Sequence, residues 1–229
     1  MKYTNLKLLA RAYVPTATVE QIDDTNLSLL LQQGALDVAS RLFCLKTNGK
    51  FASVADDRDY VLSSVLTRFL AIEKSGIWWS EDGSTNYIPL YSRTLEWLDK
   101  NRQNWRTEAS GNPLYYAFDA DEVVFSPPPA ESTSNAFWAY FSQIPPTPDT
   151  DDWYPFGGAT EIPRLAPLSE CILYYYKWKA LGVLGKPQEM DAFEPVYERE
   201  IERKKKFLNM RKDISNSDQT KFMGRRISS

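Results

Sequence analysis

PRLAPLSECILYYYKWKALGVLGKPQEM, residues 163–190, is the stretch around which the chain is built. From Leu168 to Leu184 it holds no proline and a single glycine, Gly182, and it is long enough for a helix of about five turns. At about 100° per residue, Leu168, Ile172, Tyr175, Tyr176 and Val183 share one side, while Cys171, Tyr174 and Trp178 occupy a flank that a surface helix gives to charges. Only the line through Glu170 and Lys177 is plainly polar. A helix this apolar must be covered on more than one side, by its own domain or by another copy of the chain. In the second case Tyr174, Tyr175 and Trp178 are subunit-interface residues, a place where Tyr and Trp are enriched.

Downstream, Gly185-Lys186-Pro187 turns the chain. The next helix begins at Pro187 and kinks near Pro195, or begins only at Pro195; the later start is favoured because proline suits a first helical turn. Tyr197, Ile201 and Leu208 form a narrow apolar stripe, and Glu200 with Lys204 and Glu202 with Lys206 stand four apart, a spacing that suits ion pairs. Residues 214–229 have no apolar period and are expected to be disordered in isolation.

Upstream, residues 5–12 fit a strand or one helical turn. A firm helix opens at Asp23, Asp24 or Thr25, carries Leu27, Leu30, Leu31, Ala35, Val38, Leu42 and Leu45 at three- and four-residue spacing, and stops at Asn48-Gly49. From 51 to 162 the character changes to aromatic and β-branched residues broken by turns. Strands are expected near 59–62, 68–78, 114–118, 122–126 and 136–143, with a tight hairpin at Asp119-Ala120-Asp121 and a short helix over 92–104 capped by Ser92. Two loops, 126–134 (SPPPAESTS) and 147–158 (TPDTDDWYPFGG), are expected to face solvent. The fold class is therefore α+β: a helical core from 1–50 and 163–212, a β-rich insert over 51–162 with one short helix, and an extended C-terminal arm, 213–229.

The chain of 229 residues has no histidine, which removes Ser-His and Cys-His nucleophile pairs and imidazole-ligated metals. Its two cysteines, Cys44 and Cys171, fall inside expected helices and read as small buried hydrophobes. The start, MKYTNLKLLARAYVP, lacks the apolar run of a signal peptide, and no stretch reaches the eighteen or so residues that span a bilayer; an intracellular soluble chain without a membrane partner is expected. Net charge is −3, unevenly spread: residues from Arg199 onward carry +6 and the first 198 carry −9. An acidic body with a basic end suggests an interaction arm.

The acidic pairs Asp56-Asp57, Asp121-Glu122 and Asp151-Asp152 could serve glycoside hydrolysis, with Trp78, Trp79, Trp138 and Trp153 as a sugar platform, but all have turn spacing. DTDDW lacks the central glycine and closing glutamate of a calcium loop, and no GxxxxGK[ST] or GxGxxG occurs. No catalytic residue, metal site or cofactor is expected. One ring of the adjacent pair Trp78-Trp79 should enter the core and the other face outward; Trp79 is taken as the outward contact. The basic residues Arg203, Lys204, Lys205 and Lys206, with Lys221, Phe222, Arg225 and Arg226, are candidate partner-binding groups. Gripping nucleic acid is the weaker option, because the acidic body repels a duplex; docking onto an acidic protein surface is the better one.

Taken together, IDDTNLSLLLQQGALDVASRL, ADDRDYVLSSVLTRFLAI, LYYAFDADEVVFSPPP and LSECILYYYKWKALGVLGKPQEMDAFEPVYEREIE resemble the head-to-tail adaptor (connector, or head-completion) proteins of tailed bacteriophages, the short-tailed type with a β-rich insert above all. The resemblance spans nearly the whole chain. It implies a virion protein of the neck, made in the host cytoplasm. Copies would form a ring, commonly of twelve, seated beneath the portal protein and presenting a platform to a tail or nozzle protein. Double-stranded DNA would pass through without specific contacts. It implies no catalytic residues. A carbohydrate-binding or glycan-degrading module and a nucleic-acid-binding protein are the rival readings.

Overall fold

The computed structural model describes residues 1–15, 17–120 and 122–223, with residues 75 and 210–223 described by backbone alone. It divides into two compact units, Met1–Cys44 with the chain from Pro145 onward, and Leu45–Ile144.

In the helical unit, α1 spans Tyr3–Tyr13, so the ambiguous first segment is a helix of about three turns. The second, α2, spans Asp24–Leu42; the Asp23 carboxylate accepts from the Asn26 amide at 2.7 Å, capping an otherwise unpaired donor. It ends earlier than expected, because Phe43 turns into the left-handed region at φ 44°. The core helix (α5 below) covers Ser169–Val183 after a 3-10 turn over Pro163–Leu168. It packs against α1, α2 and the last helix, α6, Pro187–Met223. A Cβ at Gly34 of α2 would stand 3.0 Å from the Tyr175 ring and 3.2 Å from Ile172, so a missing side chain lets α2 and α5 approach. The favoured start at Pro195 is incorrect: α6 begins at Pro187, where the missing N–H is already free, and runs through Pro195. After Pro195 no proline or glycine occurs before Gly224, and the helix continues to Met223 through positions expected to be disordered. The loop expected in the insert instead belongs to this unit. Its Trp153 and Asp151 carbonyls accept from the Tyr3 and Thr4 amides at 2.9 Å, Lys7 meets Asp151 at 2.7 Å, and Pro155 and Phe156 are buried rather than solvent-facing.

The second unit is a sandwich. Its strands are β1 (Lys46–Phe51), β2 (Asp59–Val61), β3 (Phe69–Trp79), β4 (Ile88–Pro89), β5 (Tyr91–Ser92), β6 (Tyr115–Asp119), β7 (Glu122–Ser126) and β8 (Phe137–Gln143). Short helices α3 (Leu62–Val65) and α4 (Leu95–Asn101) interrupt them. One sheet runs β1-β8-β3-β4, the other β2-β7-β6-β5. Asn48 and Gly49, expected to stop a helix, lie in β1 opposite Tyr140 and Ala139. The hairpin pairs Asp119 with Glu122, as acidic turn residues between apolar runs require. Alternation places Phe51, Tyr116, Val123, Phe125, Phe137 and Phe141 in one core. Phe137 stacks on Phe125 of the other sheet at 4.1 Å and on Phe51 at 4.9 Å, holding the two layers together. Ala117 and Val124 point the opposite way, under α4. The α4 cap is Thr94, accepting from the Trp97 amide at 3.1 Å, because Ser92 is already in β5. The proline run is not exposed: Pro128 and Pro129 are buried, and their carbonyls accept from Gly111 and Asp56 amides at 2.8 and 2.9 Å.

Removing the α2 cap (Asp23→Ala) should lower stability by about 1 kcal/mol, whereas Phe137→Ala, which empties the centre of the sandwich, should cost about 3–5 kcal/mol. Urea denaturation followed by tryptophan fluorescence measures both.

Candidate functional site

The rings of α5 are used inside their own unit. Tyr174 stacks on Phe193 of α6 at 5.9 Å and meets Tyr13 of α1 edge-on at 6.2 Å. Tyr175 contacts Tyr197 and Trp178, and Trp178 stacks on Tyr197 at 5.7 Å. Lys179 lies 3.4 Å over the Trp178 face. Tyr197 is buried; its hydroxyl donates to Asp37, and burial followed by that carboxylate raises its pKa. Thus Tyr174, Tyr175 and Trp178 are half-buried rather than bare, and Val183, expected on the buried side, is 58 % exposed at the helix end. Of the two ways to cover α5, the chain's own helices supply most of the cover. Trp79 is corrected outright: it is 5 % exposed and packs 4.9 Å from Phe137, while its neighbour Trp78 is half-buried opposite Trp138. Adjacent strand residues face opposite ways, and the assignment of the two was inverted.

The basic run is also altered by packing. Tyr197 and Ile201 turn one side of α6 toward α5, which brings Glu200 and Lys204 inward with them. The Lys204 ammonium lies 2.9 Å from Glu170 of α5 and 3.2 Å from Glu200, and Arg203 reaches Glu200 at 2.7 Å and Glu170 at 3.5 Å. Burial alone would lower the Lys204 pKa, but the hydrogen bonds its ammonium donates to Glu170 and Glu200 outweigh it and the net direction is upward. Glu202 takes Lys205 at 3.6 Å, not Lys206, so Lys206 is exposed with no ion pair among the described residues. Beside it Pro167, Arg203, Lys204, Lys206 and Phe207 line a recess of about 440 Å³. Of the remaining candidates, Lys221 and Phe222 lie on α6, described by backbone alone, and Arg225 and Arg226 fall outside the described residues.

Of the acidic pairs, Asp121 lies outside the described residues, and Asp56, Asp151 and Asp152 serve local structure. Asp151 and Asp152 bind Lys7 and Lys2, and Asp56 accepts from Ser110. Among the described residues no group of three or more acids or cysteines could hold a metal ion, and no helix is long and apolar enough to cross a membrane. Burial pushes the Cys44 and Cys171 thiols up to about 12.

The chain thus comprises a helical unit and a β-sandwich unit, with described acids engaged in caps and ion pairs. The model of the SU10 adaptor protein family matches residues 1–224, and the chain belongs to that family. It is a structural adaptor of a bacteriophage. A search of curated proteins found no match.

With both thiols buried and pushed up to about 12, almost no thiolate is present at pH 8. Ellman's reagent should therefore leave native protein unlabelled at pH 8 over hours and react with both cysteines once urea unfolds it. Fast native labelling would show a thiol nearer the surface.

Proposed function

We propose that the chain is a head-to-tail adaptor of the virion neck: copies form a ring, dodecameric as in the adaptors it resembles, that joins the portal protein to a tail or nozzle protein around the DNA exit channel. Membership in the adaptor family supports the role. The structural observation that carries it is the recess midway along α6, where Lys206, without an ion pair among the described residues, exposed Arg203 and half-buried Phe207 form a cationic, apolar-edged surface. Such a surface suits an acidic segment of the portal or of a neighbouring subunit, and the acidic body, −9 over the first 198 residues, supplies that complement in every copy. It also suits a conduit, since an acidic wall does not hold DNA. Residues 213–229 act as the arm that reaches the partner, and the half-buried Tyr174, Tyr175 and Trp178 contribute at most an edge to the contact between copies.

The test is mass measurement of the protein alone and mixed with portal rings. Wild type should join the portal in stoichiometric amounts, and raising salt should weaken the association. Lys206→Glu should weaken it about tenfold or more without changing the melting temperature. A chain that ignores the portal at every salt concentration rules the reading out.

A further inference from the structure

A second surface lies on the sandwich, away in sequence from the basic run. Strand β5 ends the sheet β2-β7-β6-β5, and Tyr91 on it is 60 % exposed. The Arg93 guanidinium sits 4.8 Å over Trp97, 5.6 Å over Tyr91 and 5.8 Å over Tyr115, and the Tyr115 ring lies 6.0 Å from Tyr91 and 5.3 Å from Trp97. The fold places them together for simple reasons. Tyr91 and Tyr115 are register partners in the parallel pair β5 and β6, and α4, capped by Thr94, folds Trp97 back over Tyr115.

Every carboxylate on α4 and in the turn after it has a partner. Glu96 takes Lys100 at 2.6 Å; Asp99 takes Arg106 at 3.1 Å and the Trp105 indole at 2.8 Å; Glu108 takes Arg102 at 2.5 Å. Arg93 is left with the Ser92 carbonyl at 2.9 Å, and its buried Nε has no acceptor among the described residues. A guanidinium fixed by three aromatic faces and lacking a carboxylate is a preorganised half of an ion pair.

An apolar groove adjoins it. Trp79, Ile88, Pro113 and Leu114 form the apolar wall of a cavity of about 460 Å³, whose other side is polar and includes the carboxylates of Glu81 and Asp82. Ile88 and Leu114 are 65 % and 48 % exposed, and the Leu114 carbonyl accepts from the Tyr91 amide at 2.9 Å, so groove and ring platform share an edge. Arg, Tyr and Trp beside an apolar pocket are the composition of interface hot spots.

We propose that this platform anchors an acidic protein segment of another chain, a carboxylate on Arg93 with its neighbouring aliphatic or aromatic side chain in the Ile88–Leu114 groove. Single-stranded nucleic acid also stacks on aromatic rings, but it has no aliphatic side chain to fill the Ile88–Leu114 groove; residues 45–144 carry nine cations against thirteen anions, so either anionic ligand is held at Arg93 against net repulsion from the rest of the unit.

The experiment uses the full chain and fluorescence anisotropy at low salt with four labelled probes. These are a decapeptide alternating Asp with Leu and Phe, the same peptide with Asn for Asp, the same with Lys for Asp, and a strand of twelve thymidines. The Asp peptide should bind about tenfold or more tighter than the Asn peptide. Arg93→Gln should remove at least about tenfold of that affinity, Tyr91→Ala should weaken it, and Arg93→Glu should transfer preference to the Lys peptide. Unchanged thermal melts show that the variants are folded, and Lys206→Glu should leave this binding intact, separating it from the α6 surface. The proposal is overturned by absence of binding, by equal affinity for Asp and Asn peptides, by an Asp preference that survives Arg93→Glu, or by tighter binding of the thymidine strand.

Discussion

The helical unit depends on the burial of α5 by three other helices. Cys171, Ile172, Leu173, Tyr176, Ala180 and Leu181 are buried along it, and the rings on its flanks are closed over by Tyr13, Phe193 and Tyr197. That demand fixes the rest of the bundle. Gly34 must be small where α2 crosses, α6 must start early enough to bring Phe193 and Tyr197 across, and the loop after residue 145 is pinned to α1 by main-chain hydrogen bonds. Net dispersion and hydrophobic gain come from the rings; the polar contacts at their edges set register more than they add stability.

The sandwich solves a different problem with the same residue type. Its aromatics are shared by two sheets, and Phe137 between Phe125 and Phe51 ties both layers. Its glycines serve the same closeness. Gly76, at φ 70° with the Tyr116 hydroxyl 2.8 Å from where a Cβ would stand, lets β3 shift register in the middle of the sheet.

Much of this was legible because local chemistry and long-range packing agree. Asp23 announces its cap, three- and four-residue spacing announces α2, an unbroken apolar run free of proline announces α5, and aromatic and β-branched runs between turns announce β7 and β8. The errors fall where a distant partner overrides a local preference. Asn48-Gly49 has turn chemistry but becomes strand because β8 offers a hydrogen-bonding edge. Pro195 looks like a first turn but is tolerated inside α6, because upstream residues find cover on α5. Exposure of individual rings was the least legible property: the period pairs Trp78 with Trp79 as opposites, yet only the opposing sheet decides which is inside.

Charge shows the same limit more sharply. Arg203–Lys206 reads as four equal cations, but the side of the helix that carries Tyr197 and Ile201 into the core takes Lys204 and Glu200 with it, and Glu170 closes the pair from α5. A partner could recruit Lys204 only by breaking its contacts with buried Glu200 and partly exposed Glu170, which costs more than an exposed pair returns. Lys205 is held only by an exposed contact at 3.6 Å, of the kind that contributes little, and Lys206 by none among the described residues. On the sandwich the reverse holds: Arg93, unremarkable in a sequence with many ion pairs, is a guanidinium whose acidic neighbours among the described residues are engaged elsewhere. In an adaptor, the cations available to a partner are those that folding leaves without a counter-ion. That subtraction requires coordinates, because each pairing is set by helix phase and sheet register rather than by distance along the chain.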